Sequence, residues 1–202
     1  IYGIRALEAL STVPDVETHL VMSGSARRTI ADETDWKPSA VEALADVVYP
    51  HGDIGAAIAS GSYITAGMIV APCSIKTLSE IANSHNDNLL ARAADVCLKE
   101  RRTLVLIVRE APLHIGHLEL MTRAARYGAV IGDLALASLF ARACGPVALA
   151  RGLQHARVQG SVAVALGFAL AAVLAMDIAA VFYTHLTLTT TYSVYTSLRA
   201  PL

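Results

Sequence analysis

Ile69-Val70-Ala71-Pro72-Cys73-Ser74-Ile75-Lys76-Thr77-Leu78 joins an apolar run to a Pro-Cys-Ser-x-Lys-Thr turn and then directly to a helix-like segment. Read outward from its centre, this is a buried strand that delivers hydroxyls, an ammonium and backbone N–H groups to the mouth of a helix. The first-turn N–H groups of a helix have no intrahelical partner and the dipole is positive there, so such a mouth suits an anion.

The flanking segments repeat the pattern. Residues 18–22 alternate into a short strand closed by Ser23-Gly24-Ser25, and 103–108 form a continuous apolar strand followed by Arg109-Glu110. Helical spacing is read at 4–10, 26–33, 39–48, 75–83, 89–101 and 117–127, with strands at 66–71 and 129–131. Strands apolar on both faces, alternating with helices, predict an α/β parallel sheet with helices on both sides, Rossmann-like or flavodoxin-like. Ligands of such a sheet sit beyond the carboxyl ends of the strands. Ser23, the run Ser74, Ile75, Lys76 and Thr77, and Arg109 all fall there and are expected to converge on one rim.

The net charge of −1, with no basic cluster interleaved with aromatics, argues against a nucleic-acid partner. Cys73, Cys97 and Cys144 lie far apart, which fits a reducing, cytoplasmic setting and neither a disulfide framework nor a zinc site. His114 and His117 stand three residues apart without a Cys or carboxylate at ligand spacing, so a helix-start role is expected and no metal site. Cys73 beside the turn is read as packing. No GxGxxG occurs, which disfavours a nicotinamide site.

Residues 131–202 carry only 4 of the 16 Lys+Arg and 2 of the 17 Asp+Glu. Three readings of this tail compete: a membrane-spanning helix at 161–183, interrupted by Asp177; a buried helical subdomain; and out-of-frame translation of GC-rich DNA, which is favoured, a membrane role being unlikely. The expected division is therefore a domain at 1–131 and an unrelated, helical or disordered tail at 132–202.

Six further pieces then add up to a family pattern: Ile1-Tyr2-Gly3-Ile4-Arg5, Glu17-Thr18-His19-Leu20-Val21-Met22-Ser23, Asp53 through Ser62, Asp87-Asn88-Leu89-Leu90-x-Arg92-Ala93-Ala94-Asp95-Val96, Leu98-Lys99-Glu100-Arg101-Arg102, and Arg109-Glu110-x-Pro112-Leu113-His114 with His117-Leu118. With the opening stretch, residues 1–131 resemble the UbiX-type flavin prenyltransferases. The resemblance implies transfer of a dimethylallyl group from dimethylallyl phosphate to reduced FMN, at N5 and C6, without a metal. It also implies a homo-oligomer (a dodecamer in the family) with interfacial sites, and delivery of the product to a UbiD-type decarboxylase. By the same resemblance Ser23, Ser74 to Thr77 and Arg109 are FMN contacts, and Lys99, Arg109 and Glu110, with Glu33, manage the prenyl phosphate and the proton.

The family opens with a strand and a Gly-Ala-Ser-Gly phosphate loop ahead of the Ile-Tyr-Gly piece. Ile1 falls after that loop, so upstream residues are expected to be missing. After Gly128-Ala129-Val130-Ile131 the family has a Pro-rich segment with a Tyr where this chain has Leu139, and a later basic contact falls near His155. Two other functions are weighed: a non-catalytic or membrane-tethered flavin-binding fragment, and an FMN-dependent cysteine decarboxylase, whose Pro-Ala-Ser-Ala-Asn-Thr turn differs from Pro72 to Thr77. One consequence comes from geometry alone. Lys99 precedes the strand at 103–108 and Arg109 follows it, roughly 20 Å away at ~3.3 Å per residue. Lys99 is therefore expected to serve a neighbouring subunit's site.

Overall fold

The computed structural model describes residues 2–11, 13, 16–133 and 194–198. Ile4, Leu7 and Leu10 share the buried face of α1 (Tyr2–Ser11). All five residues of β1 (Thr18–Met22) are buried. Ser23 then caps α2 (Gly24–Glu33), its hydroxyl accepting from the Ala26 amide at 3.1 Å. Pro38 sits in the first turn of the short α3 (Pro38–Glu42), where its missing N–H costs nothing. After β2 (Val47–Pro50) and a 3₁₀ turn at Ala57–Ala59 come β3 (Gly67–Cys73) and α4 (Ile75–Ala82). The chain continues through α5 (Leu89–Lys99), β4 (Thr103–Val108), α6 (Ile115–Arg126), β5 (Val130–Asp133) and β6 (Val194–Leu198).

The six strands lie in the order β2-β1-β6-β3-β4-β5. β1 with β2, β3 with β4, and β4 with β5 are parallel. β6 runs antiparallel between β1 and β3, with Thr196 opposite both Leu20 and Ile69. The α/β sheet with helices on both faces stands as expected; the antiparallel strand at its centre was not expected. Alternation along β1 sends Leu20 and Met22 to the α1–α2 side, where they meet Ile4, Leu7 and Ile30, and Val21 to the other side with Met68, Val70 and Leu78. Full burial of each such side chain stabilises the fold by about 1.5–3 kcal/mol.

The helix expected over 39–48 is corrected. It ends at Glu42, and Val47–Pro50 is a strand. The β-branched pair Val47-Val48 and Tyr49 favour extended backbone. Asp46 fixes the start of that strand against β1: its carboxylate accepts from the Thr18 amide at 2.7 Å and the Thr18 hydroxyl at 2.8 Å. The helix expected to 101 ends at Lys99, because Arg101 takes φ 57° and the Arg102 amide turns back to the Cys97 carbonyl at 2.8 Å. Gly128, at φ 106°, closes α6 in the same way through the Ala129 amide and the Ala124 carbonyl.

Among the described residues no helix is long and apolar enough to cross a membrane. The spanning helix at 161–183 and the helical-subdomain reading lie outside the described residues, as do Leu139 and His155.

Candidate active site

Three strand ends build the site. In register, Met22 is level with Val194, and Val194 with Ala71, while Cys73 is level with Val108. Ser23, Ser74 and Arg109 therefore leave the sheet along one edge. The strands that lead into Ser23 and Ser74 are two positions apart, about 10 Å at ~4.8 Å per strand. The Arg109 amide donates to the Cys73 carbonyl at 3.1 Å, which ties the exit of β4 to that of β3.

Each serine prepares a helix mouth. Ser74 is only 7% exposed, and its hydroxyl accepts from the Thr77 amide at 3.0 Å and donates to the Thr77 hydroxyl at 3.0 Å. That satisfies the third amide of α4 and leaves those of Ile75 and Lys76 without an acceptor among the described residues. Ser23 does the same for α2, which begins two residues earlier than the sequence suggested. A further hydroxyl that the reading of the sequence passed over, Ser25, lies 3.0 Å from that of Ser23. Its signal was the Ser-Gly-Ser spacing itself. Two dipole-positive mouths, capped by hydroxyls and opening on one rim, fit a group with phosphate and ring oxygens.

Arg109 and Glu110 are exposed on the same rim. Glu110 forms the polar lip of a small cavity of about 50 Å³ that is otherwise lined by Val108, Leu113, Met121, Ile131 and Gly132. Lys76 projects into solvent, 85% exposed, and stays 3.7 Å from Glu80. A contact so exposed contributes little.

Two expected site residues do not join this rim within one protomer. α2 and α5 run back from the carboxyl edge, so Glu33 and Lys99, at their last turns, lie at the opposite end of the sheet, called here the base. At the base Lys99 Nζ pairs with Glu100 at 2.7 Å and remains 59% exposed.

Cys73 is fully buried and burial pushes its thiol well up, while that of Cys97 is pushed up to about 11 by the same cause. Both are thiols at neutral pH and not nucleophiles. His114 caps α6, its Nδ1 accepting from the Gly116 amide at 3.1 Å, and its ring lies 3.6 Å from that of His117. Among the described residues no three His, Cys, Asp or Glu side chains gather as a metal site.

Comparison with known proteins gives the family. The Flavoprotein family model matches residues 1–126. The flavin prenyltransferase UbiX of Salmonella typhimurium is 64% identical over 131 residues, 65% of this chain and 69% of the relative, and that of Thauera aromatica is 65% identical over 131 residues, covering 65% and 67%. Among solved structures, that of AnUbiX (PadA1) in complex with FMN and dimethylallyl pyrophosphate aligns with a TM-score of 0.65 at 52% identity, covering 66% of this chain and 70% of the other. The dodecameric FMN-dependent UbiX-like decarboxylase of Escherichia coli O157:H7 aligns with a TM-score of 0.65 at 49% identity, covering 66% and 73%. A rim of capped helix mouths beside an Arg-Glu pair, in a sequence this close to several prenyltransferases, leaves one assignment: the chain belongs to the flavin prenyltransferase family.

Proposed function

We propose that this protein transfers a dimethylallyl group from an allylic phosphate to reduced FMN. The observation that carries the reading is the meeting of two serine-capped helix mouths and Arg109-Glu110 on one sheet edge. Reduced FMN, when bound, supplies the nucleophilic N5 and C6 that accept the allyl carbons. Ser23, Ser74, Thr77 and the amides of Ile75 and Lys76 hold its oxygens. Cleavage of the allylic C–O bond leaves the electron pair on phosphate. Arg109, a planar fork, meets that growing charge through two parallel N–H bonds. Glu110 takes the proton released as the new carbon bond forms and returns it to the departing phosphate. Lys99 and Glu33, both at the base, reach a rim only across a subunit interface, as in a homo-oligomer of the kind the dodecameric relative forms.

The product is a modified flavin for a UbiD-type decarboxylase. Free, buried Cys73 and Cys97 suit a reaction in the cytoplasm. The test is anaerobic incubation of the chain with reduced FMN and dimethylallyl phosphate, or the pyrophosphate in parallel, followed by the absorption spectrum and mass of the released flavin. Formation of an alkylated flavin is expected. Flavin that binds but returns with its mass unchanged sinks the reading and leaves a non-catalytic flavin-binding protein.

A further inference from the structure

We infer that His114 is a positioning residue for the prenyl transfer: its neutral ring holds the first turn of α6, and with it one wall of the cavity beside Glu110, and a proton on the ring releases both. The inference rests on the prenyl-transfer reading of the rim and adds a residue to it.

The two ends of α6 are held differently. In its last turn Ala124 is buried, and the Arg123 guanidinium donates to the Asn83 side-chain carbonyl at the end of α4. In its first turns no residue is buried; Ile115 is 71% exposed and Leu118 45%. What fixes the first turn is the bond from the Gly116 amide to Nδ1 of His114. Glycine gives the ring its place, since a Cβ on Gly116 would stand 3.0 Å from Cε1 of His114 and 3.2 Å from Nδ1. Leu113, the residue before this cap, and Met121, further along α6, both line the cavity whose polar lip is Glu110. Carboxylate, wall and cap therefore follow one another along a short stretch of chain.

The bond uses the lone pair of Nδ1, which a proton removes. The charge would also stand at the positive end of the helix. His117 lies over the ring, and its own Nδ1 is buried with no hydrogen-bond partner among the described residues. The other charged groups around the turn are Arg109 and Glu110 in the loop before it, Glu119 on α6, Lys76 and Glu80 on α4, which packs beside α6, and Asp133 at the end of β5. Among the described residues none of these carboxylates pairs with His114. An imidazolium here loses its bond to the helix and gains no counter-ion. The exposed first turn then unwinds, Leu113 leaves the cavity wall, and water reaches Glu110.

Hydrogen exchange and turnover of the full chain at about pH 8 and about pH 5.5 test this, because a histidine changes charge across that interval. His114→Asn and His114→Ser keep a capping acceptor that takes up no proton there. In the unmodified protein the protection factors of residues 116–118 are expected to fall about 10-fold in acid, as cap and dipole both turn against the charged ring. Its kcat should fall with them while its affinity for FMN holds. In the two variants protection should stay level, so that their kcat relative to the unmodified protein rises in acid. Variants that lose protection and kcat as the unmodified protein does overturn the inference. So does an unmodified protein that keeps both in acid, or one whose affinity for FMN falls as far as its kcat. A chain that binds FMN without alkylating it sinks the reading of the rim, and with it the part His114 plays in the reaction. Protection lost alike in all three proteins sinks the cap alone.

Discussion

Arg109 carries the sharpest demand on a single side chain. A lysine there keeps the charge but gives up the fork that grips two phosphate oxygens. Arg109→Lys should lower turnover by about 10²-fold while the protein keeps its stability, measured by product formation and thermal melting. Asp46 makes a different kind of demand. Hydrogen bonds from the Thr18 amide and hydroxyl hold its carboxyl below the usual value of 3.8. A carboxyl depressed in the folded state adds stability above its unfolded pKa, and the contribution disappears as pH falls through the folded one. Asp46→Asn should therefore cost under about 1 kcal/mol at neutral pH, because this side chain is largely solvated, and nothing in strong acid. His51 acts in the same direction in a higher window. Burial lowers its pKa from 6.5, so stability declines as pH drops below that value and the ring must take a proton. Denaturant titrations across both ranges, with and without the Asp46 substitution, separate the two.

The elements show what a sequence discloses about itself. The turn after β3 was legible because a buried strand, a capping serine and a helix follow one another within ten residues, and every signal there is local. Residues 39–48 misled because Val41, Leu44 and Ala45 keep helical spacing up to the point where Asp46 bonds to Thr18, 28 positions away. β6 was illegible for the same reason: its place depends on two distant strands and not on its own composition. The positions of Ser23, Ser74 and Arg109 could be read from strand ends alone, whereas the cavity beside Glu110 needed α6 and β5 in place. Gly132 lies in that cavity wall. A Cβ there would stand 2.7 Å from Cδ1 of Ile107, which is 1% exposed and must shift within the core to make room. Gly132→Ala is expected to destabilise the fold by about 1–3 kcal/mol in equilibrium unfolding.

At the level of the whole molecule, the separation of Lys99 from Arg109 turns into a genetic test. Arg109→Ala and Lys99→Ala should each be inactive when made alone. Co-expressed, they should recover about a quarter of the normal turnover, since random assembly pairs an intact rim with an intact lysine that often. No recovery in mixed oligomers of normal size would show that both residues act within one chain. The sheet has a consequence of another sort. Among the described residues, β1 with β2, and β3 with β4 and β5, share no ladder except through β6. Detachment of β6 would therefore leave two parallel half-sheets whose facing edges carry unpaired amides and carbonyls, open to the strands of other chains. Aggregation should set in with the loss of this one strand, before either half-sheet unfolds.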